Sequence, residues 1–308
     1  MGLVSRQIAR SPLVCLTSPA PEPSFFPSGC QRTIFETSST SFTAKTTTQH
    51  QNIITAHILE WELYDLYRKQ KTSSPKVGED LLAGLPFRKN YHDGRPAREA
   101  ISAPRNAFPL ISVQAIVVYL DNRKHGNAVW RVVVAKRSED VVVKPGLLQF
   151  QPSGGFDVFG SEIDDSEYLL HQGFDVGLAL LREYAEELFD AKQFRTNQAG
   201  IDPLAVLSHP EVSKLTMAVN TGNASIQFLG TVVDITVLRH ELSFLVLIED
   251  EFFCNSPLTG SWEAKNIYSP TVGELRDFLH DGVLHGGSAG LLQLALENPK
   301  LADKGLAM

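Results

Sequence analysis

A succession of strand-like segments around one amphipathic helix constrains the fold of this chain more than any other feature. The segments, rich in β-branched or apolar residues, are 114–121, 129–136, 204–208, 226–235 and 242–248. The second and third segments are separated by residues 176–190, where Leu181 and Leu188 belong to one apolar helical stripe. Strands before and after a helix, followed by further helices, predict an α/β (or α+β) sandwich built on one mixed sheet.

The end of this domain is marked by two expected helices. Thr271 and Glu274 have the spacing of a capping box, which begins a helix that runs through Phe278. A second helix is expected at about 288–297. We therefore assign the main domain to residues 111–298 and treat 299–308 as a C-terminal tail.

Residues 1–50 differ in composition from the rest of the chain. They are rich in Ser, Thr and Pro, and Glu22 and Glu36 are their only acidic residues. Such sequence buries too little apolar area to offset its chain entropy, which predicts a disordered tail. Arg- and Ser-rich sequence with few acids also fits an organelle transit peptide. We expect a cytoplasmic protein, with an organelle as the alternative.

Residues 51–110 are expected to form a helix and a connector. Ile54, Ile58, Trp61 and Tyr64 make one apolar stripe, which predicts that the helix docks on the main domain or, alternatively, acts as the arm of a homodimer. The Pro-bearing connector at 72–110 carries a local basic cluster. We expect a solvated linker there, and the alternative is contact with an anionic, phosphorylated ligand. The cluster consists of Arg88, Lys89, Arg95, Arg98 and Arg105.

Charge and cysteine content exclude several classes of protein. The formal net charge is −7 and the pI is near 5.7, so neither a basic footprint for nucleic acid nor a polybasic membrane patch is expected. The longest apolar run, at 111–120, is too short to span a bilayer. Cys15, Cys30 and Cys254 are scattered, which excludes a disulfide framework and a cysteine-rich zinc site as organising features.

The strongest chemical signal is a group of acids in the helix at 176–190. Glu183 and Glu187 are separated by four residues, and Glu186 adjoins the same face. A divalent cation would relieve their mutual repulsion, and clustered carboxylate oxygens suit Mg²⁺ or Mn²⁺. Arg182 could pair with one of these carboxylates. The alternative is a solvated helix face whose acids pair with surface lysines.

Two short segments carry a resemblance to a known family. Arg182-Glu183-Tyr184-Ala185-Glu186-Glu187 resembles the core of the Nudix box, whose pattern is G-x5-E-x7-R-E-U-x-E-E-x-G-U, with U a bulky apolar residue. Pro152-Ser153-Gly154-Gly155 is similar to the Pro-Gly-Gly segment that precedes it in Nudix folds. The resemblance covers about residues 110–298. It departs from the pattern where 19 residues, instead of seven, separate Glu162 from Arg182, and where Phe189 replaces the usual glycine.

The resemblance implies a Nudix-like α/β/α sandwich with a mixed sheet and an N-terminal extension. It implies a Mg²⁺-dependent hydrolase that cleaves a nucleoside diphosphate linked to another moiety, so the expected partner is a nucleotide-like small molecule. The alternative is a non-catalytic Nudix-like module that senses a ligand or mediates an interaction. The implied metal ligands are Glu183, Glu186 and Glu187, with Glu162 as an auxiliary ligand or base and with Gly154, Gly155 and Arg182 on the substrate side.

Two weaker candidates lie outside the box. One of the acids in the segment Glu249-Asp250-Glu251 could act as a general base, although a solvated loop is the simpler expectation. The segment Gly286-Gly287-Ser288 could hold an anion at a helix N-terminus, although a plain helix cap is expected.

Overall fold

The computed structural model describes most of the chain from residue 107 onward and parts of the chain before it. The described residues are 13–16, 35–36, 44–47, 49–70, 83–102, 105, 107–123, 128–139, 146–156, 175–194, 203–261, 266–280 and 282–304. Within these ranges, no helix has the length and apolar character needed to cross a membrane.

The strands and helices follow the order expected for an α/β domain. The strands are β1 (Leu13–Leu16), β2 (Phe35–Glu36), β3 (Ala44–Thr47), β4 (Ile111–Asp121), β5 (Val129–Val132), β6 (Val134–Lys136), β7 (Leu148–Phe150), β8 (Ser153–Gly155), β9 (Ala224–Asp234), β10 (Arg239–Ile248) and β11 (Asn266–Tyr268). The helices are α1 (Gln49–Asn52), α2 (Ile58–Gln70), α3 (Pro86–His92), α4 (Ala97–Ser102), α5 (Val176–Phe189), α6 (Pro210–Asn220), α7 (Phe252–Asn255), α8 (Leu275–His280), α9 (Gly286–Leu296) and α10 (Pro299–Ala302). A π-helical turn at Ile53–His57 joins α1 to α2, and 3₁₀ turns lie at Lys192–Phe194, Pro203–Ser208 and Val272–Glu274.

The central sheet is mixed, which confirms the predicted α/β architecture. Its strand order is β2-β9-β10-β4-β5, and β8 pairs with the beginning of β4. β10 runs parallel to β4 and antiparallel to β9. A smaller sheet has the order β11-β6-β7, and β1 pairs with β3.

Helices cover both faces of the central sheet and divide the core in two. On β10, Leu242 and Phe244 pack on the side of α5 and α6, whereas Leu245 and Leu247 pack on the side of α9. This alternation follows from the two-residue period of a strand. The arrangement is an α/β/α sandwich in which the helix carrying the acidic residues lies against one face.

Strand β4 is buried on both faces, and its two polar interruptions are part of the core. Gln114 donates to the Ser243 hydroxyl at 2.9 Å and to the Gly287 carbonyl at 3.2 Å. Ser112 and Gln114 are 4% and 1% exposed. These contacts join β4, β10 and the start of α9. They also give the buried Gln114 amide its hydrogen-bond partners, without which its burial would cost free energy.

Two predicted strands differ from the structure. The segment 129–136 is divided at Val133 into β5, which pairs with β4 in the central sheet, and β6, which pairs with β7 and β11 in the smaller sheet. The prediction of a strand at 204–208 is wrong: Pro203–Ser208 is a 3₁₀ turn that leads into α6. Pro203 and Pro210 lack the amide hydrogen that a strand ladder needs, and proline suits the first turn of a helix. The segment therefore forms a helical turn.

The predicted helix near residue 52 is present, but of the four residues of its apolar stripe only Ile58 packs against the domain. The buried residues are Asn52, Ala56, Leu59 and Glu62, whereas Ile54, Trp61 and Tyr64 are 56%, 56% and 62% exposed. Leu59 packs against Tyr91, Ala107 and Leu238. The helix docks on the domain as expected, but mainly through Leu59 and not through the stripe, because helical spacing shows that a face is apolar and does not show which face meets the domain.

The connector is attached to the domain through Arg88, which was expected to be solvated. Its guanidinium donates to the carbonyls of Ile235 and Thr236 at 2.8 and 2.6 Å, and Glu62 accepts from the Phe87 and Arg88 amides. Burial lowers the pKa of Arg88, and the nearby Glu62 carboxylate opposes that change. The helix and connector are thus held against the turn between β9 and β10.

At the other end of the chain, the expected capping box is confirmed. The Thr271 amide and hydroxyl both donate to the Glu274 carboxylate, at 2.6 and 2.7 Å. Beyond α9, residues that were assigned to a C-terminal tail form α10, whose Leu301 is fully buried.

Candidate active site

Helix α5 places the acidic residues against the beginning of β4. Asp175 caps the helix by accepting a hydrogen bond from the Leu178 amide at 2.9 Å. Leu180, Leu181 and Tyr184 are almost fully buried in the core cluster shared with β4 and β10. On another side of the helix, Arg182 and Glu183 face β8.

Arg182 and Glu183 form a buried ion pair beside the two glycines of β8. The Arg182 Nη2 donates to Glu183 Oε1 at 2.8 Å and to the Gly155 carbonyl at 2.9 Å. Arg182 is 2% exposed and Glu183 is 7% exposed. Charge-assisted bonds in such a shielded environment are short and directional, so the carboxylate of Glu183 is held in one position.

Gly154 makes room for that carboxylate. A Cβ atom at position 154 would lie 2.0 Å from Glu183 Oε2 and 2.1 Å from its Cδ, so no larger residue fits without displacing Glu183. At Gly155 a Cβ would meet nothing within 4 Å. The two adjacent glycines therefore have different roles: Gly154 is required by the Glu183 contact, and Gly155 offers its carbonyl to Arg182.

Glu187 and the end of the helix are held by the segment that follows α7. The Ser261 hydroxyl donates to Glu187 Oε2 at 3.2 Å. The amides of Thr259 and Gly260 donate to the Leu188 carbonyl at 3.0 and 3.4 Å. The two amides satisfy the Leu188 carbonyl, one of the groups that a helix leaves unpaired at its C-terminus.

Asp190 supplies the left-handed residue that ends this helix. This residue adopts the left-handed conformation, with φ of 51°, and its amide donates to the Ala185 carbonyl. Asp tolerates this conformation better than most residues. The helix thus ends at Phe189 without a glycine.

Tyr184 anchors the other side of the helix. Its ring packs against Phe189 and Phe253 with centroid separations of 5.3 and 6.4 Å. The side chain is 1% exposed, and burial raises the pKa of its hydroxyl well above the ordinary value. Tyr184 remains neutral and serves to fix the helix against the sheet.

The three glutamates of α5 have side chains of the type that binds magnesium, but they are not arranged as a metal site. Glu183 and Glu187 are buried on one side of α5, and Glu186 is half-buried between them. Among the residues that the structure describes, no group of three or more His, Cys, Asp or Glu side chains is arranged to hold a metal ion. Carboxylates of this kind suit Mg²⁺ or Mn²⁺, and binding would require them to turn toward a common point.

Two other candidates remain, Glu162 and the acidic segment at 249–251. Glu162 lies outside the described residues. The segment 249–251 follows β10, whose Ile248 pairs with Tyr119, whereas Gly154 pairs with Val113. The six residue steps from Val113 to Tyr119 correspond to about 20 Å along a strand, which separates these acids from Arg182.

The acids at 249–251 have hydrogen-bond partners that lie outside α5. Glu249 accepts from Lys304 at 3.1 Å, Asp250 accepts from the Phe252 amide at 3.0 Å, and Glu251 accepts from Asn122 at 2.7 Å. They behave as turn and surface residues, which agrees with the simpler expectation for this segment.

The segment 286–288 is a helix cap and a packing point. The Gly287 amide donates to His285 Nδ1 at 3.2 Å, and the Ser288 hydroxyl accepts from the Phe150 amide at 3.0 Å. A Cβ at Gly287 would lie 1.9 Å from Glu241 Oε2. A buried carboxylate of the chain already occupies this helix N-terminus.

Sequence reasoning missed two residues of the site and its surroundings. Ser261 contacts Glu187 across 74 positions in the sequence, and no local pattern indicates such a pair. Glu241, 1% exposed and bonded to Arg239 at 2.6 Å, is a buried acid at the start of an apolar strand. For Glu241 a signal was available, because a polar residue that interrupts an apolar strand is buried and needs a partner.

Comparison with known proteins finds similarity to Nudix structures only at the level of fold. No protein-family model matches this sequence, and no curated protein matches it. A NUDIX hydrolase from Alicyclobacillus acidocaldarius is 16% identical, with 65% of this chain and 97% of that chain covered and a TM-score of 0.38. A mutT/nudix family protein from Listeria innocua is 13% identical, with 64% and 98% covered and a TM-score of 0.37.

The NUDIX domain of NrtR from Shewanella oneidensis, in a complex with ADP ribose, is a third such structure. It is 16% identical, with 65% of this chain and 95% of that domain covered and a TM-score of 0.34. At these identities and TM-scores the likeness is one of fold at most. What this chain does has to be argued from its own side chains.

Proposed function

We propose that this chain is a Nudix-type hydrolase that cleaves a nucleoside diphosphate linked to another moiety, with a divalent cation as cofactor. The observation that carries the proposal is the fixed position of Glu183, which Arg182 and the Gly154 contact hold at the edge of β8. Glu186 and Glu187 follow one turn later on the same helix. An acidic helix of solvated surface residues would not bury Arg182, Glu183 and Glu187 to this extent.

The expected cofactor is Mg²⁺ or Mn²⁺, held by Glu183, Glu186 and Glu187. When bound, such an ion would neutralise phosphate charge and lower the pKa of a coordinated water. Phosphoryl transfer depends mainly on positioning and charge neutralisation, so rigid carboxylates suit it.

The chain's own residues supply the positioning. Arg182 fixes the Glu183 carboxylate and, through the Gly155 carbonyl, ties the helix to β8. Ser261 restrains Glu187 from the opposite end of the helix. Because Gly155 has no side chain and open space beside it, phosphate groups could approach the backbone there.

A second function has some support in the structure. Glu183 is already paired with Arg182, and among the described residues no three-residue metal group is formed. Both features suit a Nudix-like module that binds a nucleotide-like ligand without turnover. The two functions differ in whether the pyrophosphate linkage of the ligand is hydrolysed to two phosphate monoesters.

A hydrolysis screen separates them. Dinucleotides and nucleotide sugars are incubated with the intact chain, with and without Mg²⁺, and an added phosphatase converts the phosphate monoesters produced to inorganic phosphate, which should reveal a substrate. Glu186→Gln and Glu187→Gln should each lower kcat by at least about a hundredfold, the scale on which loss of one charge-stabilising group acts. Asp277→Asn, an exposed acid on α8, is the matched control and should leave kcat unchanged. Binding without turnover on every substrate would establish the non-catalytic function instead.

A further inference from the structure

A cavity of about 510 Å³ opens where the edge strand β5, the smaller sheet and α8 meet. This volume lies within the range of small-molecule sites, which is about 300–1,000 Å³. Apolar walls with a few polar groups are the usual lining of such a site. We call it the edge cavity, and the side chains that define it are Arg131, Val134, Leu148, Tyr268, Glu274 and Phe278.

The edge cavity is separate from the acidic residues of α5. Arg131 pairs with Tyr119 on β4, whereas Gly154, which contacts Glu183, pairs with Val113. The six residue steps from Val113 to Tyr119 span about 20 Å along the strand. A ligand in the edge cavity would therefore occupy a site of its own.

Backbone hydrogen bonds hold the walls of the edge cavity in place. Tyr268 pairs with Val134 in the smaller sheet, so their side chains share one face. The Val132 amide donates to the Pro270 carbonyl at 3.0 Å, which ties the segment after β11 to β5. The cavity is therefore a formed part of the domain and does not have to be opened by a ligand.

Two aromatic rings line the edge cavity without stacking on each other. Tyr268 is 46% exposed, and Phe278 on α8 is half-buried. Within the part of the chain that the structure describes, neither ring stacks on another aromatic side chain. Together with the apolar Val134 and Leu148, these rings offer a surface that suits a flat aromatic ligand.

The polar groups of the edge cavity supply one donor and one acceptor. Arg131 donates from Nε to Asp121 at 2.8 Å and from Nη1 to the Ser269 carbonyl at 2.7 Å, and its Nη2 has no partner among the described residues. Glu274 Oε2 accepts both bonds from Thr271, and within the same ranges Oε1 accepts none. The bonds from Thr271, and to a lesser degree the nearby Arg131, lower the pKa of Glu274, so its carboxylate is an ionised acceptor.

The charges around the edge cavity balance. Asp121 accepts from both Arg123 and Arg131, at 2.8 Å each. Glu274 supplies a second negative charge. Two guanidinium groups thus accompany two carboxylates, so the cavity suits a neutral ligand better than an anion.

We propose that the edge cavity binds a nucleoside whose base carries an exocyclic amino group, such as adenosine or cytidine. The base lies against Tyr268 and Phe278, because base–aromatic stacking suits any flat heterocycle. It accepts a hydrogen bond from Arg131 and donates its amino group to Glu274, and carboxylates are known acceptors for such amino groups. The proposal depends neither on the divalent cation nor on hydrolysis.

The test is calorimetric titration of the full chain with adenosine, cytidine and uridine in a buffer that contains EDTA. Adenosine and cytidine should bind saturably at one site per chain, and uridine, which lacks the amino group, at least about fivefold more weakly. Tyr268→Ala should lower the affinity for adenosine by at least about fivefold, the lower end of a base–aromatic contact. Tyr64→Ala, which removes an exposed ring on α2, is the matched control and should leave binding unchanged.

A second variant tests the base edge. Glu274→Gln retains a side chain that can close the capping box, so the fold and its circular dichroism spectrum should persist. It should reduce the preference for adenosine over uridine to less than about twofold, because an ionised acceptor is lost. Glu187→Gln, on α5, should bind adenosine as the intact chain does.

Three results would overturn the proposal. The first is the absence of binding by every nucleoside at millimolar concentration. The second is unchanged affinity and preference in both Tyr268→Ala and Glu274→Gln, or a loss of adenosine binding in Glu187→Gln. The third is binding of adenosine monophosphate more than about tenfold tighter than adenosine, which would show that phosphate, and not the base, is the group recognised.

Discussion

Replacing Gly154 by alanine should damage the site far more than the same change at Gly155. The new Cβ would lie 2.0 Å from Glu183 Oε2. Carbon and oxygen pack comfortably at about 3.5 Å, so the carboxylate would have to retreat by about 1.5 Å. The hydrogen bond from Arg182 is only 2.8 Å long and cannot follow such a movement without leaving the Gly155 carbonyl.

The expected loss combines two effects. Overpacking a close contact costs about 1–3 kcal/mol, and weakening a buried ion pair costs up to about 3–5 kcal/mol when one charge is left uncompensated. Because Glu183 can move partly, we expect Gly154→Ala to lower the free energy of unfolding by about 2–4 kcal/mol, an intermediate value. Urea unfolding followed by circular dichroism measures this difference.

Gly155→Ala is the matched control. A Cβ there meets nothing within 4 Å, so the free energy of unfolding should change by less than about 0.5 kcal/mol or rise slightly as the unfolded chain loses freedom. Equal losses for the two variants would refute the argument, because they would show that Glu183 is not seated against Gly154.

Three further outcomes follow from single contacts. Arg88→Ala should lower the free energy of unfolding by about 2–3 kcal/mol, since it leaves several carbonyls without donors, whereas Lys89→Ala, at an exposed position, should have little effect in the same urea series. Ser261→Ala should cost about 1 kcal/mol through the lost bond to Glu187, and Ser261→Thr should retain most of it. Burial lowers the pKa of His240 to about 4, so between pH 6.5 and pH 4 the unfolded chain takes up a proton that the folded chain does not. Stability should therefore fall by up to about 3 kcal/mol as the pH drops through this window, and His240→Gln should flatten that part of the pH profile.

Periodic patterns in the sequence predicted the parts of the fold that depend on local spacing. The helix at 176–190, the central strands and the Thr271–Glu274 capping box are confirmed because each is defined within a few residues. The strand predicted at 204–208 failed because an apolar run of that length fits a helical turn equally well. The flanking prolines carried the information that decided it.

Long-range contacts could not be predicted from the same patterns. The stripe at Ile54, Trp61 and Tyr64 is apolar and helical, yet the domain contacts the opposite face through Leu59 and Glu62. Likewise, the pairing of Glu187 with Ser261 depends on how the segment after α7 returns to the helix. Local spacing fixes which residues share a face, and tertiary packing decides what that face meets.

The most direct measurement of the central claim is calorimetric titration of the intact chain with Mn²⁺ and Mg²⁺, repeated on Glu186→Gln, Glu187→Gln and the Asp277→Asn control. We predict saturable binding in the intact chain and the control, and a loss of at least about tenfold in affinity in each glutamate variant. Absence of binding in the intact chain, or equal binding in all four proteins, would contradict the proposal that these carboxylates hold a catalytic ion.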